Sequence, residues 1–304
     1  MKGVGQLQEQ YISLENLRKV SGIGDKTIER IKAQLLQSKL DDNYKSEYDA
    51  NIKLDVNNIH QGDCLELMNG IPDKSVDMIL CDLPYGTTAC NWDTTIPFEP
   101  LWNQYERIIK DNGAIVLFGS EPFSSLLRTS NLKAYKYDWK WIKTKVGNFL
   151  NSKNSPLKKY EDIIIFSKGS IANGSKILMC YNPQGLLEIN KIRKNNRISD
   201  DSTVGKRPSR NGVYKQKYTN YPVNILEFKS EEGLHPTQKP VALCEYLIKT
   251  YTNEGDLVLD NCIGSGTTVI SAINTNRNYI GIELDETYYN IAKNRINEHK
   301  TASC

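Results

Sequence analysis

The sequence has no metal-ligand spacing and no disulfide framework. Its seven cysteines (Cys64, Cys81, Cys90, Cys180, Cys244, Cys262 and Cys304) are odd in number and scattered, with no CxxC pair among them. That pattern excludes a disulfide-stapled scaffold or a cysteine zinc site and points to a reducing cytoplasm. Only three histidines are present, His60, His235 and His299, too far apart in sequence to suggest a metal centre. No stretch approaches the roughly 18 apolar residues that span a bilayer. Met1 to Tyr11 lacks the apolar core of a signal peptide. Neither a membrane partner nor export is expected. Charge of one sign is also lacking, since 39 Lys and Arg against 36 Asp and Glu leave only +3.

What remains is ordinary globular composition, 39% hydrophobic and 25% charged over 304 residues. One large α/β domain with a small module fits that length. The charge is unevenly spread. Between Ile189 and Asn220, nine basic residues (Lys191, Arg193, Lys194, Arg197, Lys206, Arg207, Arg210, Lys215, Lys217) face only Asp200 and Asp201. The local net of +7 leaves the rest at −4, the footprint of a polyanion-binding segment on a mildly acidic body. A solvated basic loop is the plainer alternative.

Residues 1–50 read as a separate helical piece. Leu14, Leu17, Val20, Ile23, Ile28, Ile31 and Leu35 fit two amphipathic helices broken at Gly22-Ile23-Gly24, with a polar linker from Ser38 to Asp49. From Val56 onward, apolar strand-length runs alternate with helix-period segments. The strands expected are Val76–Cys81, Ala114–Phe118, Tyr137–Ile142, Asp162–Phe166, Leu257–Asn261 and Tyr279–Glu283. The helices expected are Phe98–Lys110, Pro122–Ser130, Val241–Thr252, Gly266–Asn274 and Glu286–Glu298. Such alternation predicts a largely parallel sheet covered on both faces. It fails between about Ser170 and Gly233, which reads as an insertion outside the sheet. Four segments follow: 1–50, 51–170, 171–233 and 234–304.

Two motifs carry chemistry. Leu257-Val-Leu-Asp-Asn-Cys-Ile-Gly-Ser-Gly-Thr-Thr268 is an apolar strand, a glycine turn and a helix start, where open α/β sheets bind ligands. Gly264 and Gly266 allow positive φ and close backbone approach. A plain β-α turn would look the same. What sharpens the reading is Tyr279-Ile-Gly-Ile-Glu283, whose carboxylate at a second strand tip suits ribose hydroxyls. Together they suggest an adenosine-containing cofactor. The second motif, Val76-Asp-Met-Ile-Leu-Cys-Asp-Leu-Pro-Tyr-Gly86, is a strand ending in Asp82, Leu83, Pro84 and Tyr85. The Asp82 carboxylate and the Leu83 carbonyl offer two acceptors, and Tyr85 a stacking ring, which suit an exocyclic amine on a planar base. A strand-to-loop turn with a core tyrosine is the alternative.

On these residues the sequence resembles the amino-group DNA methyltransferases, which transfer a methyl group from S-adenosylmethionine to adenine N6 or cytosine N4. Asp82-Leu-Pro-Tyr85 is similar to their catalytic motif, Asp260 to Thr268 to their glycine motif, and His235-Pro-Thr-Gln-Lys-Pro240 to the motif preceding it. The order, catalytic motif before glycine motif with the basic insertion between, resembles the β group. Leu83 to Asp93 resembles stand-alone enzymes of phages and prophages. The resemblance covers about residues 56–300. It implies a Rossmann-like α/β fold with a mostly parallel seven-stranded sheet, a target-recognition insertion and a small N-terminal module.

Further roles follow only from the resemblance. Asp82 and the Leu83 carbonyl accept the target amine's N–H bonds, and attack on the methyl is an in-line displacement with no covalent intermediate and no metal. The target base is flipped out of duplex DNA and stacked on Tyr85, with Phe149 against its other face unless it is a core phenylalanine. Cofactor contacts fall to Asp63, Asp260, Gly264, Gly266, Thr267 and Glu283, with Thr237 and Lys239 toward the methionine carboxylate. The basic insertion supplies phosphate and base-edge contacts through Lys191, Arg193, Lys194, Arg197, Arg207 and Arg210. The segment around Gly22, Gly24 and Lys26 resembles a helix-hairpin-helix, which holds phosphate without reading sequence; packing or a homodimer contact is its alternative. Three departures stand out: Leu83 replaces a proline used through its carbonyl, and Asn261 and Cys262 stand where proline and an adenine-packing phenylalanine are common. Ile263 offers part of that missing contact. Asp82 favours adenine, because serine there is commoner among cytosine-N4 enzymes. Cytosine N4 and a catalytically silent DNA-binding protein are the competing readings.

Overall fold

A computed structural model describes residues 53–86, 95–147, 149–195, 212–231 and 238–302. The chain divides after Ile52 into two units, and the described residues all belong to the second. The expected N-terminal helices and linker therefore lie outside the described residues. In chain order the elements are β1 (Asn58–Gln61), α1 (Cys64–Leu67), β2 (Val76–Cys81), α2 (Phe98–Ile108), β3 (Ile109–Gly119) and α3 (Phe123–Ser130). There follow β4 (Tyr135–Gly147), β5 (Lys158–Phe166), β6 (Leu187–Asn195), β7 (Gly212–Thr219) and β8 (Ile225–Glu227). The chain closes with α4 (Val241–Tyr251), β9 (Leu257–Asp260), α5 (Thr267–Asn274), β10 (Asn278–Glu283) and α6 (Glu286–Ala302).

Eight strands form one sheet in the order β1-β10-β9-β2-β3-β5-β4-β8. All pairings are parallel except those of β5, which runs against both β3 and β4. The central strands are apolar on both faces because helices cover both. Met78, Leu80, Ala114, Val116, Ile163 and Ile165 pack in one core with Leu243, Leu247 and Ile248 of α4, Val269 of α5 and Ile296 of α6. The alternate residues Ile79, Ile115, Leu117, Ile164 and Phe166 are equally buried on the opposite face. There α2 and α3 supply the cover, with the Trp102 ring edge-on to Phe166 at 4.9 Å.

Two expectations need correction. Among the described residues the sheet has eight strands, not seven, and the inserted region does not stay outside it. Ile225, Leu226 and Glu227 pair in parallel with Lys140, Trp141 and Ile142, so the insertion's last segment extends the sheet before α4 begins. Only Leu226 of the three is buried, and so short a strand leaves little apolar pattern to read. The basic segment forms a separate two-stranded antiparallel sheet, β6 with β7, in register Arg193 to Tyr214. Helix α2 also ends at Ile108, before the expected Lys110, because Ile109 pairs with Val76.

Candidate active site

Parallel strands deliver their carboxyl ends to one edge of the sheet, and a cleft of about 700 Å³ opens there. It is lined by Gln61 and Asp63 at the end of β1, by Asp82 to Tyr85 beyond β2, by Asp260 to Ser265 at the end of β9, and by Glu283 to Glu286 at the end of β10. Phe118, Glu161, Gln238 and Lys239 also line it. Both expected motifs, distant in sequence, thus face one space.

The glycine turn is held from two directions. Gly264 and Gly266 adopt positive φ of 50° and 81°. The Gly264 N–H donates to Glu283 Oε2 at 2.8 Å, while Glu283 Oε1 accepts the N–H of Asp285 at 3.0 Å. From α6, Arg295 donates to the Ser265 carbonyl at 3.0 Å and to the Thr267 hydroxyl at 3.1 Å. Gly266 does not line the cleft: a Cβ there would meet Ala292 at 3.3 Å and Ile296 at 3.4 Å. Its freedom serves the turn and the packing of α6, not approach to a ligand. Asp63 caps α1, accepting the Leu65 N–H at 2.7 Å, and still borders the cleft.

Asp260 ends β9, only 4% exposed, and accepts the Cys262 N–H at 3.0 Å. Burial pushes its carboxyl up to about 6. Burial likewise raises the Cys81 thiol to about 12, so it stays protonated at neutral pH and is no nucleophile. Where the resemblance leads one to expect proline and phenylalanine, the Asn261 amide accepts from the buried Tyr105 hydroxyl and lies 3.5 Å from the sulfurs of Cys64 and Cys262.

At the end of β2, the Tyr85 hydroxyl donates to Asp82 Oδ1 at 2.7 Å. One face of the Tyr85 ring stacks on Phe123, centroids 4.7 Å apart. Asp82 Oδ2 is in contact with the Lys239 ammonium. Lys239 is 7% exposed, its Nζ 3.4 Å from Glu161 Oε2 and 5.1 Å from the centre of the Phe118 ring. Burial disfavours that charge, but Asp82 and Glu161 outweigh it and hold the ammonium above its ordinary value. Glu161 is lowered in turn, against its own burial, by Lys239 and Lys143. Lys239 thus lines the cleft with its ammonium against the Asp82 carboxylate. Glu161 carries no signal in sequence beyond being a charge at the start of an apolar strand, and sequence reasoning misses it.

Phe149 is 72% exposed and is no core residue. It follows β4 in the connection to β5, beside the wholly exposed Leu150. Lys191, Arg193 and Lys194 are exposed on β6, with Arg193 donating to Gln216 at 2.9 Å. Thr237, Arg197, Arg207, Arg210, Gly22, Gly24 and Lys26 lie outside the described residues. No helix among the described residues is long and apolar enough to cross a membrane.

Residues 76–294 match the DNA methylase family of the N6/N4 type. The chain belongs to that family. This methylase is similar to the type II methyltransferase M2.MboI of Moraxella bovis, 29% identical over 264 residues, 79% of this chain and 88% of that protein. It is also similar to the DNA adenine methyltransferase YhdJ of Escherichia coli strain K12, 26% identical over 258 residues, 78% and 82% of the two chains. Among solved structures the fold is shared with M1.HpyAVI, at a TM-score of 0.52 and 24% identity over 79% of this chain and 98% of that one. It is shared too with the cytosine-N4-specific PvuII DNA methyltransferase, at 0.55 and 16% over 79% and 86%. The methylase is thus an S-adenosylmethionine-dependent amino-group DNA methyltransferase with a Rossmann-like α/β fold. The cleft suits that cofactor: its size is typical of ligand pockets, and Asp63, Asp260, Glu283 and Asp285 give it carboxylates for a cationic, hydroxyl-bearing guest.

Proposed function

We propose that this methylase modifies adenine N6 of a base flipped out of duplex DNA, at a defined sequence. The observation that carries the reading is the position of Asp82 and Tyr85 in the same cleft as the Glu283-braced glycine turn. Bound there, S-adenosylmethionine supplies the electrophilic methyl group. The chain's own part is to hold and desolvate the amine. An exocyclic amine has its lone pair delocalised into the ring, and N–H acceptance by Asp82 and the Leu83 carbonyl draws that pair out along the transfer direction. The free face of Tyr85 stacks on the target base, and Phe149 approaches the base from the opposite side.

Asp260, Gly264, Thr267 and Glu283, with Asp63, bind the cofactor; Gly266 shapes the turn. Segment 171–233 reads the target sequence, with Lys191, Arg193 and Lys194 of its hairpin on phosphates and base edges. Segment 1–50 adds sequence-independent phosphate contact. Cytosine N4 is the second reading, favoured by the likeness to the PvuII enzyme, whereas Asp82 and the relative YhdJ favour adenine. The test is mass analysis of nucleosides from DNA incubated with the enzyme and methyl-labelled cofactor. Label in N6-methyladenine is expected; label in N4-methylcytosine selects the second reading, and no label removes both.

A further inference from the structure

Asp82 has no free oxygen in this structure: Oδ1 accepts from Tyr85, and Oδ2 is in contact with the Lys239 ammonium. A charged donor binds a carboxylate about twice as strongly as a neutral one. An uncharged amine of a base therefore cannot displace the ammonium unless the ammonium has somewhere else to go. Solvent is closed to it, because Lys239 is 7% exposed, lies over the Phe118 ring and is followed by Pro240 at the start of α4.

A second seat is close at hand. Glu161 Oε2 is buried, accepts no well-formed hydrogen bond among the described residues, and is ion-paired with Lys239 Nζ at 3.4 Å, while Oε1 is in contact with Lys143. Leaving a buried carboxylate oxygen without a donor is costly. The ammonium is already within ion-pair distance of that oxygen, so a turn of the side chain toward Glu161 and away from Asp82 keeps it paired. The charge would stay buried and compensated throughout, and no proton need move.

We propose that Lys239 is a latch on the catalytic carboxylate, passing from Asp82 to Glu161 when the target amine takes its place on Asp82. The inference rests on Asp82 being the amine acceptor. Glu161 and Lys239 are positioning residues in it, since neither needs to touch the base. Before the base arrives, the latch holds Asp82 oriented; afterwards, Glu161 keeps the ammonium from competing with the amine.

The experiment is a double-mutant cycle of Glu161→Gln and Lys239→Gln, read by single-turnover methylation at saturating DNA and cofactor, with cofactor affinity measured separately. Glu161→Gln alone is expected to slow methyl transfer by about tenfold or more, with cofactor affinity within about twofold of wild type. The same substitution made in Lys239→Gln should have little further effect, because no ammonium then needs a second seat. Additive effects, an unchanged rate, or a loss confined to cofactor affinity would overturn the latch. Lys143→Gln, at a partly exposed residue, serves if the others fail to fold. Freeing Oε1 strengthens the pull of Glu161 on Lys239, so transfer should speed up, and a slower or unchanged rate refutes the idea. If wild-type enzyme and Asp82→Ala transfer methyl groups equally, the premise fails instead of the latch.

Discussion

Replacing Asp260 by asparagine should stabilise the fold at neutral pH. The side chain is 4% exposed at the end of β9, and asparagine keeps its shape and the oxygen that accepts the Cys262 N–H. Burial raises the Asp260 carboxyl from its ordinary 3.8 to about 6. The folded protein therefore binds that proton more tightly than the unfolded chain does. The stability it contributes is fully present below about pH 3.8 and is lost as pH rises through about 6. At about 1.4 kcal/mol per pH unit, the difference amounts to about 3 kcal/mol. Urea unfolding of both proteins from pH 4 to pH 8 reads this directly. Asp260→Asn should gain on wild type by up to about 3 kcal/mol between pH 4 and pH 7. A stability difference that stays constant with pH would refute the reasoning. A carboxylate kept in the cleft against the interest of the fold implies a cationic guest. Cofactor affinity should accordingly strengthen as pH rises through about 6 in wild type, and lose that dependence in the variant.

Asp82→Ala should abolish methyl transfer while leaving cofactor affinity within a few-fold, as calorimetry and turnover assays on one preparation would show. Gly281→Ala places a Cβ 2.9 Å from methyl carbons of Ile59 and Ile263 across the β10 face. Overpacking there should cost about 1–3 kcal/mol in urea unfolding, and wild-type stability would show that the sheet edge yields. Changing Lys191 and Lys194 to glutamine should lower the slope of log DNA affinity against log salt by about 0.9 for each phosphate no longer neutralised. Removing residues 1–50 should weaken and flatten DNA binding without altering the methylated sequence, read by sequencing modified sites; an altered sequence would overturn that role.

The sequence exposed those parts of the fold whose burial is two-sided. Val76–Cys81 is a strand at its expected bounds because its residues meet a helix layer on either face, leaving an apolar run broken only by Asp77. Strands β1 and β8 escape notice because they are short edge strands of four and three residues. The β6–β7 hairpin is hidden for the opposite reason. Among the described residues it packs on no core, so Ile192 and Val213 are exposed and its alternation carries no inside or outside. Asp82, Asp260, the glycine turn and Glu283 are legible because each follows an apolar strand at a turn. Glu161 is not, and neither is the true seat of Lys239, which lies 157 positions from the carboxylate it grips. Contacts between such distant segments are set by strand order, which local sequence does not record.

The return of the chain to the sheet at β8 has a consequence for how such enzymes diversify. On the way out, the Cys180 N–H is tied to the Asn112 carbonyl at 2.9 Å and the Asn182 N–H to the Thr250 carbonyl at 2.7 Å. On the way back, the Asn224 carbonyl accepts from the Lys140 N–H at 2.8 Å, just before β8 pairs with β4. The excursion between these moorings begins and ends on fixed backbone. Its length and sequence can therefore change while the strand ends that form the cleft keep their register. The hairpin is thus a replaceable cartridge, and the sheet is the socket that tolerates its turnover.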